Sequence, residues 1–264
     1  MAEKKNALER LDFFAESGPV LIVGNYGSGK TEIAVNLALQ LRRRGHAVQI
    51  ADLDIVNPYF RCREARDLME RHQIRVVVPP GHQSWADLPI VVPEIQGMLS
   101  PRAQGANLFD VGGDAVGARL LSSFAGRLAD RPYALWQVLN ARRPFTDTPA
   151  GCERMMESIE QAARMRVTGF IANTHLVTDT TPDDILDGWR LARQVAERTG
   201  RELMLVTAMG PLADDPALAV VDAPLLRLER HMLPPWLKTQ KEQEDEDQTP
   251  AARPVPIGRP SGVD

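Results

Sequence analysis

The stretch from Pro19 to Thr31, reading PVLIVGNYGSGKT, limits what this chain can become more than any other. Gly24, Gly29, Lys30 and Thr31 occupy the fixed places of G-x-x-x-x-G-K-[ST], directly behind the apolar run Val20 to Val23. Such a run suits a strand that stops abruptly. The chain must then turn tightly enough for several backbone N–H groups, from Asn25 and Tyr26 through Ser28 to Glu32, to converge on one point. A helix starting there turns its positive dipole end toward the same point. Gly24, Gly27 and Gly29 let the backbone approach an anion closely. Lys30 is then expected to reach the β- and γ-phosphates as a point charge, and the Thr31 hydroxyl to sit on Mg²⁺.

The competing reading is a glycine-rich turn that holds nothing, and the distribution of lysine argues against it. The only lysines are Lys4, Lys5, Lys30, Lys238 and Lys241, while arginine supplies positive charge elsewhere. Lys30 is thus the one lysine in the body of the chain, at the place where a compact ammonium serves better than a planar fork.

A chain of 264 residues suffices for one large α/β domain with an ample core. Its formal net charge of -4, with both signs interspersed, gives no basic footprint for nucleic acid. Cys62 and Cys152 are far apart and form no C-x-x-C, which argues against a disulfide framework or a zinc site and suits reduced thiols. No stretch has the character of a signal peptide or reaches the about 20 apolar residues of a membrane span. A cytoplasmic protein is expected.

Residues 6 to 16 place Leu8, Leu11 and Phe14 on one helical face, so 1–17 reads as an N-terminal helix preceding a nucleotide-binding domain over 18–237. After the loop, Ile33, Val35, Leu37, Ala38 and Leu41 suit a largely buried helix that ends at the arginines 42–44 and Gly45. Apolar runs then recur at 47–51, 74–78, 107–111, 134–139, 167–172 and 203–207. With Val20 to Val23 they make about seven strands, continuous rather than alternating, as in a mainly parallel sheet covered on both faces. The fold expected is a single-domain, three-layer α/β/α P-loop NTPase. Helical patterns span 63–71, 153–165 and 182–198, the last with Thr181 as N-cap and Pro182 at the first helical position.

Ligands of such sheets lie beyond the carboxyl ends of the strands, so the residues just after each run become the candidates. Asp110, at a strand tip ahead of Gly112 and Gly113, suits a Mg²⁺ or Mg²⁺-water ligand; capping of the next helix is the alternative. Asp54 suits orienting or deprotonating an attacking water, with Asp52 supporting the metal, although both could be turn formers ahead of Asn57 and Pro58. Asn173 offers a donor and an acceptor to a base edge, or else it closes a strand-end turn. Arg61, Arg63, Arg142 and Arg143 are candidates for charge stabilisation, against solvent-exposed ion pairs. The five histidines show no ligand spacing, and none is assigned chemistry.

The loop from Gly24 to Thr31, the Ala-Asp-Leu-Asp of 51–54 and the Asp-Val-Gly-Gly of 110–113 together resemble the MinD/ParA/CobQ-type (SIMIBI-class) P-loop NTPases over about residues 18–212. The resemblance implies ATP and Mg²⁺ as cofactors, Asp54 as the residue positioning the hydrolytic water, Asp110 as an aid to Mg²⁺ and Asn173 as an adenine contact. One departure stands out. Where members of that family carry a signature lysine after the first glycine, this chain has Asn25, so a dimer clamped by that lysine is not implied.

Residues 79–93, rich in proline around His82 and Trp85, suggest a partner- or substrate-facing surface or an irregular crossover. Leu225, Leu226, Leu228 and Leu233 suggest an apolar face packed onto the domain, and 238–264 reads as a disordered acidic and proline-rich tail. The activity expected is slow ATP hydrolysis by a nucleotide-dependent switch for an unidentified protein partner, with a homodimer left open. A small-molecule kinase or ligase of the dethiobiotin-synthetase type, and a binding module that does not hydrolyse, are the alternatives. The Asn-Thr-His-Leu at 173–176 lacks the aspartate of a guanine-reading N-K-x-D.

Overall fold

The computed structural model describes residues 18–54, 65–78, 93–100, 103–113 and 117–232. The sequence readings on 1–17, on 55–64 with Arg61 and Arg63, on most of 79–93 and on the tail lie outside the described residues.

Among the described residues, eight strands form one sheet: β1 (Val20–Gly24), β2 (Val48–Leu53), β3 (Arg75–Val77), β4 (Ala106–Val111), β5 (Ala134–Leu139), β6 (Gly169–Ala172), β7 (Glu202–Met209) and β8 (Leu225–Leu228). Their order is β3-β2-β4-β1-β5-β6-β7-β8, and every pairing is parallel. The helices are α1 (Lys30–Arg43), α2 (Arg66–Arg71), α3 (Pro93–Met98), α4 (Ser122–Leu128), α5 (Pro149–Ala163) and α6 (Pro182–Thr199).

The strand residues are buried because both faces of the sheet are covered, and alternate positions feed two separate cores. Leu21, Val23, Phe109 and Leu135 join the core against α4, α5 and α6. Val20, Ile22, Leu108 and Trp136 join the core built around Ile33, Val35 and Leu37 of α1. Such two-sided burial is what a continuous apolar run, rather than an alternating one, encodes.

The sheet has one strand more than the about seven read from the sequence. Leu225–Leu228 packs onto the domain as expected, but as an edge strand that pairs with β7 from Val206↔Leu225 to Met209↔Leu228. Leu226 and Leu228 are buried while Arg227 faces solvent. A four-residue apolar segment carries too little periodicity to separate strand from helix, which explains the difference. At the other boundaries, α6 is closed by the expected Thr181 cap, here a full capping box with Asp184, and ends on Gly200 at φ 65°.

The chain runs from β1 outward to β2 and β3, returns to β4 beside β1, and then crosses to β5 on the other flank. That reversal opens a crevice at the carboxyl end of β1, where open parallel sheets place their ligands.

Candidate functional site

The loop between β1 and α1 adopts the conformation its glycines permit. Gly24, Gly27 and Gly29 have φ of 141°, 70° and 90°, and at Gly29 a Cβ would also collide with the Asn173 amide. Gly29 is the N-cap of α1, yet no side chain caps that end. The first intrahelical bond runs from Ile33 N to Gly29 O, at 3.0 Å, so the amides of Lys30, Thr31 and Glu32 open the helix without a side-chain acceptor. Lys30 and Thr31 are buried, Lys30 Nζ donates to Asn25 O at 3.1 Å, and the buried Ser28 hydroxyl has no hydrogen-bond partner. A positive helix end lined with uncommitted donors is an anion site.

Register brings the carboxylates to this loop. Asp110 on β4 stands opposite Asp52 on β2 and beside Ile22 on β1, so the two acids project from the same side of adjacent strands. Like charges placed opposite each other destabilise a sheet. Asp110 is fully buried, and no hydrogen bond of good geometry reaches either of its oxygens, the Thr31 hydroxyl being a weak donor beside it. Burial first, and the Asp52 charge next, push its carboxyl up to about 8, against the pull of the Lys30 ammonium and the Thr31 hydroxyl. Asp54 is also buried, and its backbone N–H donates to Asp52 Oδ1 at 3.1 Å. A Cβ on Gly112 would lie 3.1 Å from Asp54 Oδ1, and one on Gly113 would lie 3.0 Å from Tyr26 N and 3.3 Å from Lys30 Nζ. The two glycines therefore leave the space between Asp54, Lys30 and the loop clear.

The opposite rim comes from β5 and β6. Asn173, after β6, donates from Nδ2 to Ser28 O at 2.6 Å, and its Oδ1 accepts from the Thr207 hydroxyl at 2.5 Å. Both ends of the amide are thus engaged in bracing the loop. His175 Nε2 lies 3.3 Å from where a Gly29 Cβ would be. Burial, then the charges of Arg143 and Arg230, lower its imidazole to about 4, so it is neutral at physiological pH. Spacing along the sequence gave His175 no role, because what brings it to the loop is the β5–β6 order of the sheet. Tyr26 is exposed, and Asn25 Nδ2 donates to Pro144 O at 2.8 Å. The Glu32 side chain turns away to accept from His231 N at 2.7 Å and Met232 N at 3.0 Å.

A cradle of backbone amides, one ammonium and a hydroxyl fits a polyphosphate. The stranded Asp110 carboxylate beside Thr31 fits a divalent cation held largely by water and phosphate. Among the described residues, no group of three or more His, Cys, Asp or Glu forms a metal cage of its own. A family model, CbiA, the CobQ/CobB/MinD/ParA nucleotide binding domain, matches residues 21–185, more than half the chain and every strand from β1 to β6. The chain belongs to the CobQ/CobB/MinD/ParA nucleotide-binding family. This CobQ/CobB/MinD/ParA domain thus holds the whole loop, the three aspartates and Asn173 within the matched span.

No curated protein matches the chain. Among solved structures, it is similar to the cell division protein FtsY of Thermotoga maritima, with 19% identity and a TM-score of 0.47 over 75% of this chain and 66% of that one. It is similar also to the signal recognition particle 54 kDa protein of Aeropyrum pernix K1 in complex with GDP, at 19% identity and a TM-score of 0.45, covering 75% of this chain and 45% of that one. A third is chloroplast FtsY of Physcomitrella patens, at 18% identity and 0.47, covering 76% and 64%. The chain spans between about half and two thirds of the length of these neighbours.

Proposed function

We propose that this chain is a Mg²⁺-dependent ATP-binding protein that hydrolyses ATP slowly and uses the bound state to change its contacts with a protein partner in the cytoplasm. The observation that carries the reading is the pairing of an uncapped helix end with a buried Asp110 that has no hydrogen bond of good geometry, beside Thr31. Either alone is costly to the fold, and a cation–phosphate ligand satisfies both.

In this reading the amides of Lys30, Thr31 and Glu32 that open α1 and the Lys30 ammonium hold the β- and γ-phosphates, while Thr31 and Asp110 would hold Mg²⁺, with Asp52 supporting the metal. The bound Mg²⁺ would neutralise charge on the phosphate oxygens. Asp54 orients the attacking water and accepts its proton. Gly112 and Gly113 follow the state of the terminal phosphate because they sit between Asp54 and Lys30. Asn173 keeps Ser28 in place through its amide. ATP is the nucleotide proposed on the resemblance to the MinD/ParA/CobQ-type proteins, and the binding comparison with GTP below decides between the two. Among the described residues no helix is long and apolar enough to cross a membrane.

Equilibrium binding of ATP and GTP with and without Mg²⁺, by wild type and Lys30→Ala, tests the proposal. The expected result is Mg²⁺-enhanced ATP binding that the variant loses by at least about tenfold, corresponding to 1.4 kcal/mol. Undiminished binding by K30A would sink the assignment of the loop.

A further inference from the structure

The connection after β5, residues 140–146, touches the phosphate loop from outside, and the two adjacent arginines in it do different things. Arg142 is neutralised: its Nε donates to Asp184 Oδ1 and its Nη2 to Asp187 Oδ2, both at 2.8 Å. Arg143 turns the other way. Its Nε donates to Gly27 O at 3.0 Å, and its Cζ lies 3.2 Å from where a Gly27 Cβ would stand. Among the described residues, no carboxylate pairs with Arg143 and its terminal nitrogens donate to nothing.

The link is reciprocal, since Asn25 Nδ2 donates back to Pro144 O. The connection is stiff enough to serve as a support. Arg142 N donates to Asn140 Oδ1 at 2.9 Å, Arg143 N to Asn140 O at 3.1 Å, and the buried Thr146 hydroxyl to Asn140 O at 3.1 Å. A rigid turn therefore holds an unneutralised guanidinium against the middle of a loop that collects amide donors and one ammonium. Charge of that sign, unpaired and half-buried at such a place, favours an anion with several negative charges.

We propose that Arg143 is a positioning residue for the phosphate loop, fixing the Gly27 carbonyl through Nε and adding from the same chain a second positive charge at the rim of the nucleotide site. This rests on the nucleotide-binding reading above. Its predicted consequence is specificity for the number of phosphates: the residue strengthens binding of ATP and of inorganic pyrophosphate more than binding of AMP.

The test compares Arg143→Gln, which keeps a donor for Gly27 O without the charge, with Arg143→Lys, which keeps the charge without the fork. Binding of ATP, pyrophosphate and AMP is measured on the full chain across a range of salt concentrations, alongside the melting temperature. For one charge near the rim at an intermediate dielectric, R143Q is expected to weaken ATP on the order of tenfold and AMP less, with a shallower salt dependence and an unchanged melting temperature. R143K is expected to recover part of the loss. Equal ATP affinity in R143Q and wild type, or R143K no better than R143Q, would overturn the assignment.

A second readout needs no nucleotide. The His175 imidazole is held down in part by Arg143, so its titration followed by NMR should move upward in R143Q. A His175 titration identical in both proteins would show that the charge does not reach the loop. A wild-type protein binding neither ATP nor GTP while His175 still shifted would instead refute the functional reading and leave the placement of Arg143 standing.

Discussion

At the scale of single residues, the site is built from side chains that a stable fold would not choose. Asp110 is a carboxylate without a hydrogen bond of good geometry at 0% exposure, opposite Asp52. His175 is a histidine kept neutral by burial and by two arginines. The second gives a pH prediction with a definite sign. The unfolded chain takes up a proton near 6.5, its ordinary value, whereas the folded protein does so only near 4. Its contribution is fully present above about pH 6.5 and is lost as the pH falls toward 4, amounting to about 3 kcal/mol from a shift of that size. Chemical denaturation of wild type and His175→Gln at a series of pH values checks this: the variant should lose less stability than wild type across that window. Equal slopes would mean that His175 is hydrated and titrates normally in the folded state.

At the scale of elements, the turn into α1 is set by backbone conformations that only glycine adopts freely. Gly29→Ala would force a side chain into φ 90° and against the Asn173 amide. Its expected effect is loss of most nucleotide binding, with a stability cost of about 1–3 kcal/mol, read by ATP titration and by urea denaturation. The capping box of α6 makes a contrasting case. Thr181→Ala removes an acceptor from Asp184 N and should cost about 1 kcal/mol in denaturation while leaving ATP affinity within twofold, since its ties run to Asp184 rather than to the loop.

These two elements also show what could be read before any coordinates. The loop, the Thr181 cap and the strands from β1 to β7 are local or doubly buried patterns, and each stands in the chain in the order physics requires. Asp110 beside Asp52 was readable only in part: each was a strand-end carboxylate in the sequence, but their facing each other depends on the insertion of β4 between β2 and β1. The same holds for Arg143 and His175, which reach the loop through the strand order. β8 escaped because four residues of leucine and arginine fit either period. Tertiary adjacency, rather than propensity, is what the linear pattern left out.

At the scale of the whole molecule, the two cores meet the ligand through one sheet, so binding and folding are linked. A ligand that binds only the native state adds about 2.7 kcal/mol at a concentration 100 times its Kd, worth about 5–11 °C in melting temperature for a chain of this size. Wild type with ATP and Mg²⁺ should show that rise, and part of it should require Mg²⁺. Asp110→Asn should differ in two opposite ways. Without ligand it removes a buried acid whose folded pKa is raised from 3.8 to about 8, which costs wild type stability as the pH climbs between those values. The advantage of D110N over wild type should therefore grow between about pH 4 and about pH 8 and level off above that. With ATP present, the same variant should lose the Mg²⁺-dependent part of the rise, because the amide carries no charge for the cation. Melting curves of both proteins at the two pH values, with ATP in the presence or absence of Mg²⁺, give the four comparisons needed. A D110N protein that is less stable than wild type at the higher pH, or that keeps the full Mg²⁺ effect, would remove Asp110 from the metal site and return it to a role in the core.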